Sequence, residues 1–189
     1  MFIKTEGEFV LRESSKIALG GIISALAVVI MLSTYITPLL VYTAPPFAGL
    51  LLVVMLREIG YSWAFGAYTA VSLLSVFLVA DKESAVFFMM FFGYYPILRM
   101  FINSKIKIKP LSFAMGFVVF NCSLYLSVKI CSEIFGIDYS DFTDGGTAMF
   151  ILFIVLMNFV FIAYDVLLNR AVYIYDMMIS KKVKKLFRH

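Results

Sequence analysis

The chain has 189 residues, of which 62% are hydrophobic and only 15% charged, and its mean hydropathy is +0.97. Soluble domains average about 45–50% apolar and about 25% charged residues, so this composition excludes an ordinary soluble protein and predicts an integral membrane protein. The net charge of +4 is modest and gives no reason to expect a nucleic-acid partner.

The chain begins with a segment of mixed charge, residues 1–15, which lacks the basic start and small-residue cleavage site of a removable signal. It is predicted to be a cytoplasmic N-terminal segment. The first span follows at Lys16–Ile36, an uninterrupted apolar run of about the 20 residues that cross a bilayer.

Small residues recur along one face of this first span. Ala18, Gly21 and Ala25 stand at i, i+3 and i+7, and the last two form a small-xxx-small pair. In lipid, helices approach closely where small residues let their backbones touch. The spacing therefore predicts a helix-docking face, used either inside the chain's own bundle or by an external partner.

The second span is predicted to begin at the Pro45–Pro46 pair, because proline fits the first turn of a helix. It would run from about Pro46 to Leu56 plus a turn and end at Arg57–Gly60, which is short for a crossing. The uncharged loop before it, residues 37–45, carries Tyr42 and Thr43 and would lie partly at membrane depth. Such a loop is tolerated where it is covered by protein or lines a cavity, which indicates a pocket.

Four more apolar runs complete a single transmembrane domain over residues 1–189, which ends in a basic tail at 180–189. Gly93 and Pro96 predict a kink in the fourth span. The fold class predicted is therefore an all-α integral membrane protein with six transmembrane helices, the last four at about Ser62–Ala80, Ser84–Ile102, Leu111–Phe135 and Thr147–Tyr175.

The basic residues orient these spans. Lys82 and Lys129 fall on one side of the predicted membrane, and the other 14 of the 16 basic residues fall on the opposite side. By the positive-inside rule both termini are cytoplasmic and the external loops are 37–45, 81–83 and 136–146. The basic tail is also suited to contact anionic lipid.

Polar side chains within the spans are candidate functional residues, because their burial in lipid is costly unless they are paired or line a cavity. In the fifth span, Asn121 and Tyr125 share a face with Ser132. Lys129, nearby, either binds a ligand, reaches the outer interface, or pairs with Glu133 at i+4.

The sixth span carries Asn158 and Asp165 on a stripe that runs inward. Asp165 needs a cation, and Arg57 and Arg99 are nearest to it in predicted depth. We interpret that pair as structural or as part of a cytoplasmic partner surface.

The short hairpin Asp81–Lys82–Glu83 either forms a solvated cap or stands over the mouth of the bundle and holds a polar molecule. In the second case these residues join the polar residues of the spans and of the 37–45 loop. The predicted substrate-binding residues are then Tyr42, Thr43, Lys82, Glu83, Asn121, Tyr125, Lys129 and Asn158.

Motifs of several enzyme classes are missing from the sequence. It contains no GxxxxGK[ST] for nucleotide phosphates, no HExxH for zinc and no GxSxG, and its one histidine is His189. Cys122 and Cys131 match no metal or disulfide pattern. The chain is not expected to be an enzyme, and no cofactor or metal is expected.

The chain resembles the substrate-binding S component of an energy-coupling factor (ECF) transporter. In Ala18–Val29 (ALGGIISALAVV), Gly21 and Ala25 are similar to the AxxxA docking motif of that family, with glycine replacing the first alanine. The segments Leu56–Tyr61 (LREIGY), Asp81–Glu83 (DKE) and Phe91–Arg99 (FFGYYPILR) are similar to stretches of S components that have no assigned substrate.

This resemblance implies a protein of the bacterial cytoplasmic membrane that captures a vitamin or similar micronutrient from outside. It implies docking through the face at Ala18, Gly21 and Ala25 onto a membrane coupling subunit that two ATPase subunits drive. The absence of a phosphate-binding loop agrees with that arrangement.

An alternative comes from another class. The rod-shape protein MreD, a non-transporting scaffold of the cell-wall elongation machinery, has a similar size and about six spans. A scaffold has no need of Tyr42, Lys82 and Lys129 converging on a closed cavity, so that convergence separates the two hypotheses.

Overall fold

The computed structural model describes residues 13–37, 39–106, 108–136, 147–175 and 177. The predicted N-terminal segment up to residue 12, the loop residues 137–146 and the basic tail lie outside this part. In it the chain forms helices α1 Glu13–Leu32, α2 Leu40–Glu58, α3 Tyr61–Leu78, α4 Lys82–Phe87, α5 Tyr95–Lys105, α6 Lys109–Glu133 and α7 Thr147–Ile174.

Six helical segments of the described part are long and apolar enough to cross a membrane, with α4 and α5 forming one of them. The regular structure there is entirely helical. The prediction of an all-helical chain with six such segments is therefore confirmed.

Side-chain contacts between distant helix ends show which ends lie together. Tyr175 donates to Glu58 Oε1 at 2.9 Å, and Tyr35 donates to the Leu78 carbonyl at 2.9 Å. One end of the bundle, called here the basic end, carries the cations near the helix termini at Lys16, Arg57, Lys105, Lys109 and Arg170. The other is called the opposite end.

The predicted start of the second span is wrong. Helix α2 begins at Leu40 and runs through Pro45 and Pro46, so it is a full span of 19 residues. Tyr42 and Thr43 therefore stand on the first turns of a helix and not in a loop at membrane depth. Val41, Ala44 and Pro45 are buried in the bundle, although the two prolines cannot donate backbone hydrogen bonds. Tertiary packing, and not the local sequence, therefore accompanies the earlier start of this helix.

The fourth span is interrupted at the place where a kink was predicted. A π-helical turn, Phe88–Phe92, and a turn at Gly93 separate α4 from α5. Proline at position 96 cannot donate to the Phe92 carbonyl, and the Tyr164 hydroxyl donates to that carbonyl instead, at 3.0 Å. Tyr68 similarly donates to the Met89 carbonyl at 2.7 Å. Tyrosines from two other helices thus stabilise the break, as buried backbone carbonyls require.

Two apolar cores fill the bundle. The first lies among α1, α2 and α3, and the second lies among α2, the π-helical turn, α5, α6 and α7. Helix α2 contributes to both, and its Gly49 packs directly against the Phe92 carbonyl. The candidate sites lie beside α6 and α7, towards the two ends of the second core.

Candidate functional site

A cavity of about 350 Å³ opens between α6 and α7 towards the opposite end of the bundle. Its walls are mostly apolar, with polar groups at one edge. This is the composition of many small-molecule sites, in which a few polar groups orient an apolar ligand. The lining residues are Asn121, Leu124, Tyr125, Val128, Lys129, Ser132, Glu133, Phe153 and Ile154.

An amide pair joins the two helices at the inner limit of this cavity. Asn121 Nδ2 donates to Asn158 Oδ1 at 3.1 Å, and Asn158 Nδ2 donates to Asn121 Oδ1 at 3.3 Å. Each amide also donates to the carbonyl four residues earlier in its own helix. Both amino groups have thus used their two N–H donors, so toward a ligand these residues can act as hydrogen-bond acceptors.

The charged edge of the cavity is an ion pair. Lys129 Nζ lies 3.1 Å from Glu133 Oε1, and their side chains are 53% and 66% exposed. This is the i+4 pairing that the spacing allowed. The pair presents both a cation and an anion to the cavity, and Tyr125 and Ser132 add hydroxyl groups. The arrangement suits a ligand that combines an apolar body with a polar edge.

Tyr42, Thr43 and Glu83 lie elsewhere. Tyr42 donates to Glu83 Oε1 at 3.1 Å and so connects α2 to α4. Tyr42 and Thr43 line a separate groove of about 200 Å³ between α2 and α7. Thr43 donates to the Leu39 carbonyl at 3.2 Å. This groove shares no lining residue with the cavity between α6 and α7, and Glu83 does not line that cavity either.

Lys82 turns back onto the end of α3. Its Nζ donates to the carbonyls of Val76 at 2.9 Å and Val79 at 2.8 Å. Carbonyls at a helix C-terminus lack partners within their helix and favour a cation, so this lysine caps α3. The structure thus brings together three of the predicted binding residues in this cavity, Asn121, Tyr125 and Lys129. Asn158 is hydrogen-bonded to Asn121 at its inner limit, and the other predicted residues lie outside it.

The sequence pattern missed the apolar wall. Leu124 and Val128 lie at i+3 and i+7 from Asn121, a helical spacing that could have found them. Phe153 and Ile154 come from α7, and their proximity depends on how the two helices pack.

The small-residue face of α1 is exposed. Ala18, Gly21 and Ala25 all point away from the bundle, and a side chain added at Gly21 would meet no atom within 4 Å. Beside it runs a groove of about 360 Å³ between α1 and α3, lined by Ile17, Gly20, Gly21, Ser24, Met55, Ser62, Trp63, Gly66, Ala67 and Ala70. These three residues therefore do not pack inside the described bundle.

Asp165 pairs with Arg99 and not with Arg57. Arg99 Nε lies 2.8 Å from Asp165 Oδ1, and Nη2 donates to Oδ2 at 2.9 Å. Tyr95 donates to Oδ1 of the same carboxylate at 2.6 Å. The prediction that Asp165 needs a cation is confirmed, and the two charges are 3% and 6% exposed.

The length and apolar composition of the six candidate spans in the described part indicate a multi-pass membrane protein. No protein-family model matches the chain, and no curated protein or solved structure matches it with significance.

Proposed function

We propose that the chain is the substrate-binding subunit of an uptake system for a vitamin or similar micronutrient, working with a separate coupling subunit and ATPases. The proposal rests on the resemblance of its motifs to ECF S components. It further takes the basic end as cytoplasmic, following the positive-inside rule. The cavity between α6 and α7 then belongs to the outer half of the membrane, where an S component receives its substrate.

The observation that carries the proposal is this cavity, in which Asn121, Tyr125 and Lys129 lie together. At about 350 Å³ it falls within the usual size range of small-molecule pockets, about 300–1,000 Å³. An aromatic or heterocyclic ring would lie against Phe153 and Leu124. Its polar edge would meet the Lys129–Glu133 pair.

Filling the cavity should abolish ligand retention. Mass spectrometry of small molecules extracted from the purified protein should find a ligand with the natural sequence and lose it with Ile154→Trp, whose indole would occupy the cavity. Val155→Trp is the matched control, because Val155 is the next residue of α7 and is 57% exposed. Equal retention by both variants would remove the cavity as the site.

Docking is expected to use the exposed face of α1. Gly21→Leu or Ala25→Trp should prevent co-purification with the coupling subunit and ATPases, because bulk there keeps backbones apart. Ligand retention should persist, since both residues face away from the bundle. Leu26→Trp, about 100° further round the helix and 50% exposed, is the control. Normal assembly of the first two variants would place docking elsewhere.

Orientation can be tested with a single cysteine in a background where Cys122 and Cys131 are replaced. Ser104 lies at the basic end, on an exposed position of α5. Ser104→Cys should resist membrane-impermeant thiol reagents in intact cells and react after permeabilisation. Ser140→Cys, in a loop predicted to be external, should show the reverse. Labelling of Ser104→Cys in intact cells would contradict the orientation.

A scaffold role resembling that of MreD is the second candidate. Two observations favour the scaffold. Lys82 contacts the end of α3, and Tyr42 lies on the first turns of α2, so neither residue contributes to a closed cavity with Lys129. Such a scaffold should yield no co-extracted small molecule. Its Gly21→Leu variant should lose cell-wall elongation proteins from the purified complex instead of ATPases.

A further inference from the structure

A second cavity, of about 400 Å³, lies at the basic end among α5, α6 and α7. Its walls are far more polar than those of the cavity described above. A water molecule takes about 30 Å³ in the liquid, so the space accommodates a group many times that size. The lining residues are Arg99, Asn103, Ile106, Lys109, Ser112 and Asn169.

Hydrogen bonds hold the polar wall in place. Arg99 Nη1 donates to Ser112 Oγ at 2.6 Å, and Ser112 Oγ donates in turn to Asn103 Oδ1 at 2.8 Å. Arg99 is 6% exposed, so this wall is anchored inside the protein. Nη1 uses one of its two N–H groups on Ser112, and Nη2 uses one of its two on Asp165. Each of these nitrogens therefore has a second N–H group that these contacts do not use. The amino group of Asn103 has no hydrogen-bond partner among the described residues.

The charge of the lining favours a monoanion. Asp165 neutralises Arg99 through the buried ion pair. Asn169 donates to Asp165 as well, at 3.3 Å to Oδ2, and adds no charge. Lys109 therefore leaves the described lining with one net positive charge. A phosphodiester carries one negative charge and offers oxygen acceptors that suit ammonium, guanidinium and amide donors.

Exposed apolar side chains on α6 and α7 continue from this cavity towards the membrane interior. On α7, Val166 and Ile162 lie three and seven residues before Asn169 and are 48% and 43% exposed. On α6, Met115 lies three residues after Ser112 and is 42% exposed. By helical periodicity each of these shares a face with its cavity residue. A soluble phosphate ester would make no use of them, whereas an acyl chain would cover them.

We propose that this cavity binds the phosphodiester headgroup of an anionic lipid, with Lys109 and Asn103 contacting the phosphate and an acyl chain lying along Met115, Ile162 and Val166. The ordered Arg99–Ser112–Asn103 chain fixes the Asn103 amide for that contact. This site is independent of the proposed transport function and of the cavity at the opposite end.

The test is a native mass-spectrometry titration of the delipidated full-length chain with phosphatidylglycerol. Lys109→Gln and Asn103→Leu should weaken binding, the lysine variant by about ten- to a hundredfold, as expected for a lost charge-assisted hydrogen bond. Lys109 is exposed, so the fold should survive Lys109→Gln, which is the deciding variant. Lys105→Gln is the matched control, because Lys105 is an exposed lysine of the same end that does not line the cavity.

Two further probes separate the sources of the phosphate. Diacylglycerol, which lacks the phosphate, should bind weakly and without dependence on Lys109. Glycerophosphoglycerol, which keeps the phosphodiester of phosphatidylglycerol but lacks the chains, should bind at least tenfold more weakly than phosphatidylglycerol. If Lys105→Gln and Lys109→Gln lost equal affinity for phosphatidylglycerol, the binding would come from diffuse surface charge, and the proposed site would be wrong. Equal affinity for glycerophosphoglycerol and phosphatidylglycerol would overturn the lipid assignment.

Discussion

Asp165→Ala is expected to lower the free energy of unfolding of the detergent-solubilised protein by about 3–5 kcal/mol, the usual cost of removing one partner of a buried ion pair. The change leaves the Arg99 guanidinium buried without its counter-ion. It also takes from Tyr95 the acceptor that lies 2.6 Å from its hydroxyl. Thermal unfolding followed by circular dichroism measures the effect, which should lower Tm by roughly 6–20 °C.

An exposed ion pair provides the control. Glu133→Ala removes the partner of Lys129, but that pair lies on the surface, where an ion pair contributes about 0–1 kcal/mol. The double variant Arg99→Met/Asp165→Leu should recover much of the stability lost in Asp165→Ala, since it removes both charges. A loss in Asp165→Ala no larger than in Glu133→Ala would mean that the carboxylate is not buried against Arg99 in the folded protein.

The number of spans and most of their limits could be predicted from the sequence because each crossing needs a long apolar run. Span five was expected at about Leu111–Phe135 and is found at Lys109–Glu133. Span six was expected at about Thr147–Tyr175 and is found at Thr147–Ile174. Charged or glycine-containing segments border these runs, so local composition locates their ends.

The start of α2 could not be predicted in the same way. A proline pair fits the first turn of a helix, and nothing local shows that the helix begins six residues before the predicted start at Pro46, at Leu40. What extends it is burial of Val41 and Ala44 against neighbouring helices, 8% and 2% exposed. That burial is a property of the packed bundle and not of the local sequence.

In the candidate site, too, local spacing could be predicted from the sequence and contacts between helices could not. Asn121, Tyr125 and Lys129 lie within about two turns of one helix, so helical periodicity alone is enough to group them. Lys82 could be assigned to one end of the bundle, but its partners are carbonyls at Val76 and Val79 that only the α3–α4 turn brings within reach. The predicted depth of each residue in the membrane left Arg57 and Arg99 as candidate partners of Asp165. The packing of the helices brings Arg99 to it.

Gly49→Ala is expected to be strongly destabilising although alanine is the better helix former. A methyl group at Gly49 would overlap the carbonyl of Phe92 and crowd the Tyr164 hydroxyl that donates to it. Overpacking typically costs about 1–3 kcal/mol. Displacing Tyr164 would add about 1–3 kcal/mol, because the Phe92 carbonyl would lose its donor in a segment where Pro96 cannot replace it.

Gly21→Ala is the matched control, because it makes the same chemical change within a helix at a position with nothing within 4 Å of the new methyl group. Relative to glycine, alanine stabilises a helix interior by roughly 0.5–1 kcal/mol, so Gly21→Ala should unfold at the same temperature as the natural sequence or slightly above it. Gly49→Ala should unfold well below both. If the two variants unfolded together, α2 would not approach the broken fourth span as closely as the Gly49–Phe92 contact requires. Tyr164→Phe distinguishes the two causes, since it removes the hydrogen bond without adding bulk and should reproduce only part of the Gly49→Ala loss.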